Sequence, residues 1–256
     1  MAATQPPVTT LPPPPASRAT VPAADRPSRR LARLGWAALG LFALTNAWAV
    51  AASEPDRMMG HLQKIMYAHV PTAWSAFVAF FLVFVASIAY LWTRRDRWDH
   101  VALASAEVGT LLTAVTLVLG SIWGKPTWGV WWTWDPRLTT TAIMLMIYAG
   151  YLALRAFVDE RERAARWAAV VGILGFVNVP IVYMSVRWWR TLHQVQSSPR
   201  SMDSTYLVGL LVNSIAILFV LAWLIAARAE AARLEAEAET LAEHRALGPL
   251  AGERRA

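Results

Sequence analysis

Residues 72–92 read TAWSAFVAFFLVFVASIAYLW, 21 consecutive residues without a charge. A helix of roughly 20 apolar residues covers the ~30 Å hydrocarbon core of a bilayer, so this run predicts a membrane-spanning helix. Working outward, five more runs of the same kind lie at about 35–52, 101–123, 139–157, 167–187 and 205–227. The composition agrees: 56% of residues are apolar and only 16% are charged, against about 25% charged in an ordinary soluble domain. The expected fold class is therefore an all-α membrane protein with six transmembrane helices. The first span is the shortest and, with Asn46 inside it, the least apolar.

The segments between and beyond the spans divide the chain. Residues 1–31 hold eight of the fifteen prolines and cannot bury a core, which predicts a disordered cytoplasmic tail. No apolar stretch starts before about residue 35, so this tail is not a cleavable signal peptide. Residues 32–227 form the six-span domain, and 228–256 a charged cytoplasmic extension. Ala226 to Ala246 is rich in Ala, Glu, Leu and Arg and is expected to continue the sixth helix.

Charge orients the spans. An even number puts both ends on one side with the 94–100 and 158–166 connections, and that side carries 17 of the 24 Lys and Arg residues. By the positive-inside rule both termini are cytoplasmic. The segments 53–71, 124–138 and 188–204 then face outward, which in a bacterium is the periplasmic side of the inner membrane. The net charge of +7 is spread between apolar runs rather than gathered in a patch, which suits a membrane topology better than a nucleic-acid surface.

Nearly all the unusual chemistry falls in those outer segments. Trp123, Trp128, Trp131, Trp132 and Trp134 crowd one of them, an outer loop over 123–139. Trp74, Trp92 and Trp98 fit the interfacial aromatic belt found in any membrane protein. Five tryptophans within twelve residues exceed what anchoring needs and suit a large flat ligand instead. His69, just before Pro71, and His193, after Trp188, Trp189 and Arg190, lie at helix margins on the same side. Two imidazoles from separate segments can approach a planar macrocycle from opposite faces, whereas a bare metal site would want carboxylates beside them. His61 reads as an ordinary interfacial residue. Lys125, Arg137, Arg187 and Arg190 are candidate partners for carboxylates such as haem propionates. Asp135 could pair with Arg137, accept a histidine N–H, or shape the turn at Pro136. The chain has no cysteine, so a haem here would be non-covalent haem b, and thiolate chemistry is excluded. Glu107, Asn178 and Asn213 are polar residues within spans and read as structural, with Asn178 expected to serve a carbonyl freed by Pro180.

The run from Trp128 to Thr139, WGVWWTWDPRLT, resembles the WWD signature of haem-handling proteins in cytochrome c biogenesis. Gly120–Pro126, Tyr67–Pro71, Asn178–Pro180 and Trp188–Gln194 extend the likeness. Over about residues 35–227 the chain resembles the cytochrome c maturation protein C, or haem exporter protein C, family. That resemblance implies a haem held at the periplasmic face, with His69 and His193 as the axial ligands of its iron. Trp123, Trp128, Trp131, Trp132, Trp134 and Asp135 would form the platform. It also implies handover to a periplasmic haem chaperone similar to cytochrome c maturation protein E. ATP-binding cassette (ABC) transporter subunits and a small single-span subunit would be further partners, beside membrane lipid. Pro136 departs from the family, which often has a small residue there.

Other readings remain. The related haem lyase of the other bacterial assembly system shares the loop but has extra spans and a histidine pair within the membrane, whereas here no histidine is expected inside a span. A bis-histidine b-type electron carrier would place both ligands within the bundle. A pump carrying haem across the membrane has only Glu107 and the asparagines behind it. The chain shows no nucleophile and no nucleotide-binding motif, so whether it is itself an enzyme stays open.

Overall fold

A computed structural model describes residues 29–195 and 202–253. It is built from α-helices: α1 Arg29–Ala52, α2 Met66–Thr93, α3 Asp96–Trp128, α4 Pro136–Phe157, α5 Arg161–Phe176, α6 Asn178–Trp188 and α7 Ser204–Glu253. A short 3-10 helix, His61–Ile65, leads into α2. α5 and α6 follow one another across Val177 and act as one span, so among the described residues six helical spans are long and apolar enough to cross a membrane. The chain is a multi-pass membrane protein, as its apolar runs predict. The tail expected over 1–31 lies outside the described residues as far as residue 28, and residues 29–31 already belong to α1.

The helices overrun the apolar stretches. α2 starts at Met66 rather than near residue 72, and α3 continues to Trp128. His69 and His100 are therefore helical, each in a first turn or so of helix that precedes the apolar run. At a membrane interface the backbone still meets its hydrogen bonds most cheaply as helix, so the helix outlasts the apolar sequence. Pro71 is tolerated near the start of α2, where its missing N–H removes one ladder bond, that to the Tyr67 carbonyl.

α2 lies at the centre, against α3, α5 and α7, while α4 packs on α3, α5 and α6, and α1 on α7. Lipid gives helices little hydrophobic reason to associate, so close packing through small residues carries the contacts. A β-carbon on Gly109 would sit 2.7 Å from Phe80 Cε1, and one on Gly172 would sit 2.9 Å from Val83 Cγ1. Phe80 in turn stacks on Tyr148 with ring centroids 3.7 Å apart. Val83, Met144, Tyr151 and Val182 complete that core.

Several polar groups of the bundle are paired across helices. Arg155 of α4 grips Asp99 of α3 through two hydrogen bonds of 2.5 and 2.7 Å. Arg228 of α7 does the same to Glu107, at 2.5 and 3.0 Å. The Asn213 amide donates to the Gly209 carbonyl at 2.8 Å, and its oxygen accepts from Thr45 of α1 at 3.2 Å. Asn178 donates to the Thr140 carbonyl of α4 at 2.9 Å, so it ties two helices together rather than serving the carbonyl freed by Pro180. α7 spans 50 residues, a rod of about 75 Å at 1.5 Å per residue, so it continues well past the membrane-spanning part.

Candidate functional site

At one end of the bundle, the beginnings of α2 and α4 meet the ends of α3 and α6. Between them lies a cavity of about 340 Å³, within the roughly 300–1,000 Å³ range of small-molecule pockets. Its wall is mostly apolar, with Phe77, Leu117 and Met144 at its base. His69, His193, Trp123, Trp128, Trp132 and Arg137 all line it.

Each of these side chains has a local cause for its place. His69 is the fourth residue of α2 and is only 8% exposed. Gly120 of α3 faces it so closely that a β-carbon there would lie 3.1 Å from its Cε1. One turn on, Trp123 meets the imidazole edge-on, with centroids 5.8 Å apart. Among the described residues, neither the buried His69 Nδ1 nor the buried Trp123 Nε1 has a hydrogen-bond partner. Buried polar atoms are rarely left so, and both belong to residues that line the cavity. Trp128 folds back over Gly124, where a β-carbon would come within 2.9 Å of the indole. Gly129, at φ +80°, then ends α3 in the left-handed conformation that glycine adopts without strain. The Lys125 ammonium donates to the Gly129 carbonyl at 2.8 Å.

The loop proper is therefore 129–135, shorter than the tryptophan-rich stretch, and Trp123 and Trp128 belong to α3. Trp131 and Trp134 are 60% and 80% exposed and do not line the cavity. Trp132 stands between, lining the cavity and meeting Trp134 edge-on at 5.8 Å. Arg187 and Arg190 are also exposed and outside the cavity wall. Arg137 is the cation that lines it, and its Nη1 donates to the Val182 carbonyl at 2.5 Å and the Tyr183 carbonyl at 3.2 Å. His61 is exposed and lies outside the cavity wall.

Asp135 is buried yet absent from the cavity wall. It caps α4, accepting from the Arg137 N–H at 2.8 Å, and Pro136 follows at the first helical position. Its second oxygen accepts from the Thr191 hydroxyl at 2.7 Å and the Leu192 N–H at 2.7 Å. The Thr191 hydroxyl in turn accepts from the His193 N–H at 3.0 Å. Asp135 therefore neither pairs with the Arg137 guanidinium nor touches an imidazole; it fastens the segment that carries His193.

The His193 Nδ1 donates to the Gln194 carbonyl at 2.8 Å, since a carbonyl can only accept. That bond selects the tautomer whose Nε2 keeps its lone pair, the form a metal requires. Burial pushes this imidazole below the ordinary value of 6.5, against the effect of the Gln194 bond. His193 is thus neutral at pH 7. Gly120, Gly124 and Thr191 stand in the stretches that carry the family likeness, but sequence reasoning gave them no role of their own. The two glycines stand four apart on α3, a spacing that could have flagged a face kept open. Thr191 has no local signal, because its partner is 56 residues away.

The family described as heme exporter protein C matches residues 20–244. The heme exporter protein C of Bradyrhizobium diazoefficiens is 42% identical over 189 residues, 72% of this chain and 72% of that protein. That of Haemophilus influenzae is 38% identical over 183 residues, 71% of this chain and 74% of the relative. The Escherichia coli protein of the same name is 40% identical over 148 residues, 57% of this chain and 60% of its own length. With the match running through all six spans and both histidine segments, the chain belongs to the heme exporter protein C family.

Proposed function

We propose that this protein serves haem export for cytochrome c biogenesis by holding a non-covalent haem b in the cavity between α2, α3, α4 and α6. One observation carries the reading: His69 and His193, from segments far apart in sequence, line the same apolar cavity with two tryptophans beside them. His69 and His193 are the axial ligands of the iron. Trp123, Trp128 and Trp132 give the ring its aromatic walls, and Arg137 is the cation within reach of a propionate. When bound, the haem would supply an iron centre, and His69 and His193 would be the residues that hold it.

The face carrying the cavity lies on the periplasmic side of the inner membrane, a reading supported by the bias of arginines toward the other face. The exposed Trp131 and Trp134, beside the cavity-lining Trp132 in the same loop, form the surface offered to the periplasmic chaperone that receives the haem. The ABC-transporter subunits and the small single-span subunit complete the assembly in this reading. The paired state of Glu107 favours a holding role over a charge-lined path through the bundle.

The test is spectroscopic. Protein purified from membranes should show a low-spin, six-coordinate haem spectrum. His69→Ala or His193→Ala should lose that spectrum, and His61→Ala should keep it. An unchanged spectrum in the His69→Ala, His193→Ala double variant would sink the ligand assignment.

A further inference from the structure

The two histidines are held in different ways. His69 is fixed at three levels. Its backbone belongs to α2, its ring packs against Gly120, and Trp123 closes on its edge. It cannot swing away without opening the α2–α3 contact. His193 sits beyond the end of α6, in non-helical chain. Among the described residues, one carboxylate anchors its segment: Asp135 receives the Thr191 hydroxyl and the Leu192 N–H, and Thr191 receives the His193 N–H. Losing those bonds leaves α2, α3 and α4 intact.

We propose that His193 is the exchangeable axial ligand and that Asp135, acting through Thr191, is its latch. This rests on the haem-ligand reading above and adds an order to it: the loop histidine leaves first and the helix histidine stays. Any protein that accepts the haem must reach the iron with a ligand of its own, and the position it can take is the one His193 vacates. The Gln194 carbonyl makes the His193 imidazole a better donor to iron, which opposes release. The latch decides the outcome, because dissociation needs the ring to move and only the loop can let it. Asp135 and Thr191 are positioning residues in this scheme and touch no haem atom.

The experiment measures carbon monoxide binding to the reduced, haem-loaded protein in detergent, where the rate is limited by departure of one histidine. Thr191→Val keeps shape and removes the hydroxyl, and should raise that rate on the order of tenfold or more, the value of a hydrogen bond to a carboxylate. Thr191→Ser should restore the wild-type rate. In a His193→Ala background Thr191→Val should add nothing, because the ligand it restrains is gone. A Thr191→Val rate equal to wild type, or an acceleration that persists in His193→Ala, overturns the latch while the bis-histidine spectrum stands. Absence of that spectrum in the wild-type protein overturns the ligand reading, and the latch with it.

Discussion

Gly120 lies against His69, with room for an imidazole only because no β-carbon stands between them. The contact defines how deep the helix-borne histidine sits. Gly120→Ala forces a shift of a few tenths of an ångström, and Gly120→Val a much larger one. Overpacking of this kind costs about 1–3 kcal/mol. Gly120→Val should therefore weaken haem binding roughly tenfold to a hundredfold, with Gly120→Ala between it and wild type. Titration of haem into the apoprotein checks this; equal affinity for all three would remove the role given to the glycine.

Acid should release haem through His193. Burial lowers its pKa below 6.5, so it stays neutral through the pH range where an ordinary histidine takes up a proton. The sign follows from proton binding: below 6.5 the unfolded chain holds a proton that the folded one lacks. Stability from this group is full above 6.5 and is lost as pH falls through the lower folded value. The low-spin spectrum should persist to pH 6.5 and fade under stronger acid. His193→Ala should lack that transition in an acid titration of apoprotein stability.

Glu107 and Asp99 should matter for stability and leave the haem spectrum alone. Asp99 is 5% exposed in its side chain and grips Arg155 twice. Asp99→Asn leaves a buried guanidinium without its counter-charge, at a cost of about 3–5 kcal/mol. The Glu107–Arg228 pair is less buried, with side chains 31% and 29% exposed, so Glu107→Gln leaves less uncompensated buried charge and should cost less than Asp99→Asn. Thermal unfolding in detergent separates the two. A Glu107→Gln protein that is stable and haem-loaded yet inactive would revive a proton or transport role for that carboxylate.

Trp134→Ala and Trp131→Ala should separate holding from handover. Both side chains point away from the cavity, so the haem spectrum and affinity should be unchanged within about twofold. Transfer of haem to the periplasmic acceptor, followed as covalent haem on that partner, should fall. A lost spectrum would return these residues to the haem platform.

The six spans were legible because lipid demands long uncharged runs, and the run at 72–92 declares itself. The ends were not, since helix continues wherever the backbone has no better partner. That is why His69, read as lying at the margin of a helix, turns out to belong to it. Trp123, Trp128 and Trp132, with both histidines, could be picked out by residue type and spacing. Trp131 and Trp134 share that spacing but point outward, because beyond Gly129 the helical phase no longer governs direction. Asp135 was visible as an oddity among tryptophans, while its task depends on Thr191 and Leu192, more than fifty residues on. Long-range hydrogen bonds of that sort leave no periodicity to read.

The left-handed turn at Gly129 also limits how this wall of the cavity can vary. Gly120, Trp123, Gly124 and Trp128 sit on one uninterrupted helix that stops at a backbone conformation other residues resist. Each added residue in a helix turns everything beyond it by about 100°. A single insertion between Gly120 and Gly129 would carry Trp128 off the cavity while leaving His69 where it is. This stretch can change by substitution but not by length, whereas 130–134 and 189–190 can grow or shrink without breaking the phase. Variation in loop length among relatives is therefore expected on the outward side alone.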